Sequence, residues 1–289
     1  MEDNKILRLN DKVSSKDDIV THKNDNPTFE FKPNPLPRTQ VIGYAEKNGN
    51  MFGEKLFEEH NQITIGGALF ILEKLFGVKA GLYIENLNNI MGIAPNNQPT
   101  DMPKDEIVCL FGVGVGGCGD SIRSVKEVKF TEREIVEMIP FRITDEELTD
   151  VEQEKYWFKQ VVDNKTRYYL KTFETEPVIK SLWKDGEGDE DGSEVEANVH
   201  ESGRTEPIET FVELILKITK KDIREYFEIY EDIELARVNS IGLFTGCKRL
   251  QADGTKEFQQ VKLFSKLNIP NEMLTLSKDL TIVYRIYTS

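Results

Sequence analysis

The most constraining feature of this sequence is a period of two residues in the apolar run 280–287. The side chains that point to one face of an extended chain there are Leu280, Ile282, Tyr284 and Ile286. A period of two is typical of a half-buried β-strand. We therefore expect this run to form a strand in the core of the fold, so that the chain ends inside its own core.

Two earlier apolar runs favour strands beside it. The first spans 237–245, and the second contains the alternating residues Val261, Leu263, Leu267 and Ile269. Between them, Asp253-Gly254 is a strong hairpin signal because both residues tolerate the backbone of a tight turn. We expect the three runs to form one antiparallel meander.

Further strands are predicted from β-branched and aromatic runs. Two hairpins are expected: 40–45 with 56–65 across Asn48-Gly49-Asn50, and 156–162 with 167–173 across Asp163-Asn164-Lys165. Apolar residues occupy both faces of 211–219, which indicates a central strand. Shorter strands are expected at 106–113, in the alternating stretch after Ser121 and around Ile135 to Phe141.

Two helices are predicted. Residues 66–77 are apolar nearly all round, which is typical of a helix buried between a sheet and another element. Residues 220–230, with Thr219 as a cap, carry the stripe Ile223, Phe227 and Tyr230, which we expect in the core. With about ten strands against two helices, the predicted fold class is mainly β, with sandwich-like antiparallel sheets and one or two helices packed on them.

Residues 1–38 form a separate region of the sequence. They are polar, and prolines at 33, 35 and 37 favour an extended path. The composition fits a disordered tail, and it equally fits an arm that lies on a neighbouring subunit. We favour the arm, which could span about 120 Å when fully extended, and assign 39–289 to one β-rich domain.

Two long loops complete the expected contact elements. They are 79–104, which contains Met91 and Met102, and an acidic insertion at 184–206, next to Trp183. Arms and long loops become ordered when a neighbour supplies buried area that offsets their entropy. The interface residues expected on this basis are Phe31, Pro33, Pro35, Pro37, Met91, Met102 and Trp183.

Charge and composition narrow the classes of partner. The net charge is −14, and no dense cluster of Lys or Arg occurs, so direct sequence-specific binding to nucleic acid is disfavoured. The three cysteines are an odd number without regular spacing, which fits synthesis in a reducing cytoplasm. No stretch has the apolar length of a signal peptide or membrane span. We expect a protein that is soluble when made and has no membrane partner.

The closest approach to a chemical motif is the glycine-rich stretch Gly112 to Gly119. Gly112, Gly114 and Gly117 fit the spacing G-x-G-x-x-G, which lets a dinucleotide pyrophosphate approach the backbone at a helix N-terminus. Here the following segment has the pattern of a strand, and no alternation of parallel strands and helices surrounds it. The stretch is therefore expected to be a flexible loop or a tight turn between strands.

Metal and catalytic patterns are equally incomplete. The acids after Asp185 alternate as in a calcium loop, and the twelfth position is the required Glu, Glu196, but the sixth is Glu190 instead of Gly and no helices flank the stretch, so only half of the pattern holds. The histidines, His22, His60 and His200, are scattered, and no pair of acids is singled out. We predict no catalytic residue, no metal and no cofactor.

Short motifs at both ends of the domain resemble those of structural proteins of tailed bacteriophage particles. They are Asn61-Gln62-Ile63-Thr64, Leu75-Phe76-Gly77, Phe111-Gly112-Val113-Gly114, Ile241-Gly242-Leu243-Phe244, Lys262-Leu263-Phe264-Ser265 and Leu280-Thr281-Ile282-Val283-Tyr284. The resemblance covers roughly 40–130 and 233–289. The acidic middle departs from the shorter fibre-type pattern, which leaves open whether the position is neck, collar, tail or fibre attachment.

The resemblance implies a non-enzymatic virion protein, made in the host cytoplasm, that forms homo-oligomers and contacts other virion proteins. Two alternatives from other classes remain open. One is a soluble enzyme that binds a nucleotide at Gly112 to Gly119. The other is a polysaccharide-binding module, suggested by the aromatic residues Tyr156, Trp157, Tyr168 and Tyr169, which are more often sheet core.

Overall fold

A computed structural model describes most of the domain. The described ranges are 38–76, 86–92, 106–119, 124–185, 193–196, 204–231, 236–250, 256–270 and 278–287. Residues 1–37 of the predicted arm, the contact residue Met102 and the acidic stretch 186–192 lie outside them.

Within these ranges the chain forms fourteen strands and four helices. The strands are β1 (Thr39–Lys47), β2 (Asn50–Glu59), β3 (Gln62–Ile63), β4 (Ile107–Gly114), β5 (Met138–Ile139), β6 (Arg142–Thr144), β7 (Tyr156–Val162), β8 (Lys165–Thr172), β9 (Val178–Asp185), β10 (Ser193–Glu196), β11 (Arg204–Ile218), β12 (Ser240–Leu250), β13 (Lys256–Asn268) and β14 (Leu280–Tyr287). The helices are α1 (Ile65–Phe76), α2 (Leu87–Ile90), α3 (Asp150–Gln153) and α4 (Arg224–Tyr230).

The strands form two antiparallel sheets that face each other across one core. The six-stranded sheet has the order β10-β9-β11-β14-β1-β2, and the eight-stranded sheet has β3-β13-β12-β4-β8-β6, with β5 on β4 and β7 on β8. Leu216 and Tyr284 from the first sheet share the core with Phe111 and Leu243 from the second. The predicted class, a mainly β sandwich-like fold with helices packed on it, is confirmed.

Strand β14 lies in the middle of the six-stranded sheet, between β11 and β1. Its buried position confirms the prediction for 280–287, and the β12–β13 hairpin confirms the earlier part of the predicted meander. The assignment of β14 to that meander is wrong, because β14 belongs to the opposite sheet. The eleven residues between β13 and β14 exceed the two to five of a typical hairpin loop, which leaves room to cross between sheets.

Both predicted tight hairpins form. Asn48 and Gly49 have φ of 55° and 78°, and Asp163 and Asn164 have φ of 51° and 61°, as a turn with two left-handed central residues requires. The structure corrects the return strand of the first hairpin. It begins at Asn50 and ends at Glu59, and the chain then continues through β3 into α1.

A second apolar cluster lies on the outer side of the eight-stranded sheet. It contains Trp157, Leu170, Phe244 and Leu263, and α2 covers it with Leu87. Asn86 caps this short helix by accepting a hydrogen bond from the backbone of Asn89. The predicted loop 79–104 therefore contains a helix, and the capping Asn was the signal for it.

The predicted acidic loop 184–206 is shorter than expected. Strand β9 continues to Asp185, β11 begins at Arg204, and β10 pairs with β9 between them. Among the described strands, β10 is at the edge of its sheet. The alternation Glu194-Val195-Glu196 fits a strand, but its two acidic residues led to the prediction of a loop.

Three other predicted elements differ in detail. Helix α4 begins at Arg224 rather than at 220, and Thr219 is not its cap, because the Asp222 carboxylate holds 219–222 in a turn. The strand expected after Ser121 is reduced, within 124–130, to a single bridge between Cys118 and Val125. The strand expected around Ile139 is only β5, since the positive φ of Glu137 breaks the extended path before it.

Candidate functional site

The glycine-rich stretch is packed tightly by the chain itself. A Cβ on Gly114 would lie 2.5 Å from Ile135, one on Gly116 would lie 2.5 Å from the carbonyl oxygen of Val136, and one on Gly117 would overlap the backbone of Asn239. The Gly117 N–H donates to the Asn239 side chain at 2.7 Å, and that side chain donates to the carbonyl of Val115 at 2.8 Å. These glycines make room for neighbouring backbone, and the stretch is a strand followed by a tight turn.

The surroundings of this turn also differ from those of a dinucleotide site. In the described residues 124–130, the segment after the turn contains no helix whose N-terminus could face a phosphate. The Gly117 N–H is occupied by Asn239, so it is not presented to a ligand. The geometry therefore gives no support to the nucleotide alternative.

The aromatic residues that suggested a polysaccharide site lie in the interior. Tyr156, Trp157 and Tyr169 are buried, and Tyr168 packs against the main core. The Trp157 ring meets Phe258 edge to face, with 4.7 Å between ring centroids. These rings act as sheet core, as expected for aromatic residues in adjacent strands.

Of the histidines and cysteines in the described ranges, Cys109 in β4 lies near Cys247 in the neighbouring strand β12. His60 hydrogen-bonds the carbonyl of Thr39 through Nδ1, while His22 and His200 lie outside those ranges. Burial raises the pKa of the partly buried Cys109 thiol to about 12, so it is protonated at neutral pH. Cys247 is buried in β12. Within the described part of the chain, no three His, Cys, Asp or Glu residues are placed to hold a metal ion.

Two of the predicted interface residues can be placed. Met91 follows α2, and its side chain packs against the outer apolar cluster of its own chain. Trp183 lies in β9, where its backbone is paired with Ser193 and Pro207 on either side. Phe31, Pro33, Pro35, Pro37 and Met102 lie outside the described residues.

The structure reveals a buried polar network that links the two sheets. Lys171 in β8 donates to the Asp222 carboxylate at 2.6 Å and to the Lys217 carbonyl of β11 at 2.8 Å. The Tyr156 hydroxyl donates to the other oxygen of Asp222 at 2.6 Å. The side chains of Lys171 and Asp222 are only 4% and 0% exposed. We call Lys171, Asp222 and Tyr156 the inter-sheet network.

A second set of ion pairs continues toward the surface. The Arg142 guanidinium donates to Glu225 at 3.1 Å and to Glu152 at 2.8 Å, and Glu225 also accepts from the backbone of Ile143. The hydrogen bond from Arg142 holds the pKa of the Glu152 carboxyl below its usual range. Arg142 and Glu225 thus attach α4 to β6.

The inter-sheet network was not predicted, although the sequence contained a signal for it. Lys171 shares a strand face with Tyr169 and Phe173, so a period of two places a cation on an apolar face. A buried lysine needs an anionic partner. Sequence alone could not identify that partner as Asp222, which lies 51 positions away.

Helix α1 packs on one side only within the described structure. A Cβ on Gly67 would overlap the Phe264 carbonyl of β13, so the glycine allows close contact, and Phe70 meets the Phe264 ring edge to face. The opposite side carries Leu72, which is 50% exposed, and three residues at helical spacing from it that are only partly buried. We call Ile65, Ala68, Leu69 and Leu72 the α1 outer face. The predicted burial of this helix between two elements is not found among the described residues.

The β2 edge of the six-stranded sheet has the opposite character. Among the described strands, β2 pairs only with β1, and its register shifts twice along that pairing. It exposes charged side chains, namely Glu54, Lys55, Glu58 and Glu59. Charges and irregular pairing discourage a further strand from adding to an edge. The α1 outer face is therefore the better candidate for contact with a partner.

Comparisons with protein-family models, curated proteins and solved structures found no match to this chain. Among the helices that the structure describes, none combines the length and apolar character that crossing a membrane requires.

Proposed function

We propose that this chain is a non-enzymatic structural protein that works through contacts with copies of itself and with other subunits. We further propose that it belongs to the virion of a tailed bacteriophage, in its neck, tail or capsid-associated part. The phage assignment depends on the sequence motifs in 40–130 and 233–289. The assembly role is supported independently by the α1 outer face.

The observation that carries the proposal is the exposure of an apolar helix. Full burial of a leucine side chain is worth about 1.5–3 kcal/mol, so covering half-exposed Leu72 would recover about 1 kcal/mol. Its neighbours Ile65, Ala68 and Leu69 have no charge to hydrate. A second subunit placed on this face would bury these side chains together, which is how association is usually driven.

Charge supports the same choice of surface. Each chain carries a net charge of −14, so two copies repel each other when their carboxylates come close. The four residues of the α1 outer face are uncharged, whereas the β2 edge has three carboxylates among its four exposed charged side chains. Copies of the chain therefore approach with least repulsion at α1.

Sedimentation of the purified full chain over a concentration series tests the assembly role. We expect oligomers that dissociate on dilution, and we expect Leu72→Glu to shift the equilibrium to monomer at least tenfold because it places a charge in the contact. Val151→Glu is the matched control, since Val151 is also an exposed apolar residue on a helix and lies in α3. A wild-type chain that stays monomeric at every concentration would contradict the proposal.

The phage assignment needs a separate measurement. Purified particles of a phage that encodes this chain should yield its peptides in mass spectrometry at a constant ratio to the major capsid protein. Particles that lack the peptides, although infected cells contain the protein, would refute the virion assignment.

Calorimetry distinguishes the assembly role from the alternative of a nucleotide-binding enzyme. Titration of the chain with a panel of nucleotides should release no binding heat if the protein only assembles. Binding that Gly114→Val weakens would instead favour an enzyme that uses the glycine-rich stretch.

A further inference from the structure

Lys171 and Asp222 form an ion pair in which both side chains are buried. The amine of Lys171 lies 2.6 Å from Asp222 Oδ2, and both side chains are almost completely enclosed. Lys171 belongs to the eight-stranded sheet, whereas Asp222 lies in the turn directly after β11 of the six-stranded sheet. The two residues thus join the two halves of the sandwich.

Two aromatic rings flank the amine of this pair. The rings of Phe141 and Tyr156 lie 6.0 and 5.3 Å from the Lys171 amine. Removing two charges from water is costly, and the mutual attraction of an ion pair offsets that cost only in part. Transfer of one proton within the hydrogen bond converts the ion pair into a neutral amine beside a neutral carboxylic acid. These are the two species that can form an amide.

Two further donors are directed at the carboxyl group of Asp222. The Tyr156 hydroxyl donates to Oδ1 at 2.6 Å, and the backbone N–H of Thr219 donates to Oδ2 at 2.6 Å. Burial raises the pKa of the Tyr156 hydroxyl, and the nearby Asp222 adds to this, so the phenol keeps its proton at neutral pH. Donors in this position stabilise the negative oxygen that develops when an amine attacks a carboxyl carbon.

The nucleophile is oriented as well. Its amine donates to the Lys217 carbonyl at 2.8 Å, which fixes the nitrogen next to the Asp222 carboxyl group. Groups held at contact distance in the right orientation react far faster than the same groups free in solution. Nucleophile, electrophile and oxyanion donors are therefore all present at one buried position.

We propose that Lys171 and Asp222 condense into an amide crosslink that joins the two sheets covalently. The Lys171 nitrogen forms a bond to the Asp222 side-chain carbonyl carbon, and the bond from that carbon to one oxygen breaks. This oxygen leaves as water, taking one proton from the carboxylic acid and one from the amine. The product is a neutral secondary amide, and no oxidant, reductant or cofactor takes part.

The crosslink would remove two buried charges and constrain the unfolded chain. It closes a loop between positions 51 apart in sequence. A covalent loop of this kind stabilises a fold mainly by lowering the entropy of the unfolded state, as disulfides do. It suits a subunit that must keep its two sheets together under load, but it does not depend on the proposed assembly role.

Mass spectrometry of the purified, folded full chain tests the proposal directly. We expect the intact mass to be lower than the sequence mass by one water. Trypsin does not cleave after an acylated lysine, so its digest should contain residues 168–180 joined to 222–224 in one branched peptide. The Lys180–Glu213 ion pair, at 2.8 Å but more exposed, is an internal control and should give only linear peptides.

Variants distinguish a built reaction site from an accidental modification. Lys171→Arg keeps a cation for Asp222 but cannot condense, so it should have its full sequence mass. Tyr156→Phe should slow crosslinking at least tenfold in freshly refolded protein, because one oxyanion donor is lost. A folded wild-type chain that keeps its full mass and gives only linear peptides after prolonged incubation would overturn the proposal.

Discussion

The inter-sheet network buries polar side chains, whereas the α1 outer face exposes an apolar one. The network buries a lysine and an aspartate between the sheets, where each hydrogen-bonding group has a partner from the other sheet. The α1 outer face leaves Leu72 half-exposed at the surface. Polar groups in the interior therefore specify how the two sheets fit, and apolar groups outside provide a surface that a subunit can cover. Substitutions in the first region should change stability, and those in the second should change association.

The largest effect is expected for Asp222→Ala. This change leaves the buried Lys171 without its anion and removes the acceptor of Tyr156, which costs about 3–5 kcal/mol for a buried pair broken on one side. Denaturant unfolding measures the loss. Glu228→Ala is the control, since it breaks the exposed Arg224–Glu228 pair and should cost less than about 1 kcal/mol. Equal costs for the two variants would show that the network does not hold the sheets together.

Gly67→Ala tests the close contact on the inner side of α1. Replacing a helical glycine by alanine usually stabilises by about 0.5–1 kcal/mol. Here the added methyl group would overlap the Phe264 carbonyl, so we expect a loss of about 1–3 kcal/mol from overpacking. Thermal unfolding shows whether the variant is less or more stable than the wild type. A more stable variant would mean that α1 can move off β13.

A smaller effect is expected from the surface carboxylate Glu154. Hydrogen bonds from Lys248 and Lys256 lower the pKa of the Glu154 carboxyl to about 2. Because the folded pKa lies below the unfolded value, the ion pairs contribute stability above pH 4.5, and this is lost as the pH falls toward 2. All three side chains are about half exposed, so solvent screening limits the contribution to less than about 1 kcal/mol.

The pH dependence is measured with Glu154→Gln. Its free energy of unfolding should fall slightly below that of the wild type at pH 7, and the two should converge on acidification to pH 2. A difference that grows at low pH would contradict the assigned pairs.

The smallest change in stability is expected on the α1 outer face. Leu72→Glu replaces a half-exposed side chain, so the free energy of unfolding of the monomer should change by about 0.5 kcal/mol or less. The same variant should lose association in sedimentation. Destabilisation comparable to that of Asp222→Ala would place Leu72 in the core and remove the contrast between the two regions.

The sequence predicted local features of the fold better than long-range ones. The turns at Asn48-Gly49 and Asp163-Asn164 were predictable because their residues tolerate a positive φ. The pattern of 280–287 correctly indicated a buried strand. A period of two reports which face is covered but not which strands lie alongside, so β14 was placed beside β13 instead of between β11 and β1.

The same limit explains the missed polar groups. Asp222 is a helix-compatible residue in a helical pattern, but its carboxylate accepts hydrogen bonds from Lys171, Tyr156 and the Thr219 N–H in the turn before α4. Lys171 and Tyr156 come from other elements, which local patterns do not specify. Lys171 was visible as a cation on an apolar face, so half of the network could have been found from the sequence.

The central position of β14 has a consequence for how this molecule is made. The Tyr287 hydroxyl hydrogen-bonds Gln40 across 247 positions, and contacts between such distant segments form slowly. On the ribosome, β1 and β11 emerge well before residues 280–287, and until then each presents an unpaired edge that can capture a strand from a nascent neighbour. We therefore expect newly synthesised chains to need chaperone protection, and versions that stop before Leu280 to aggregate rather than fold.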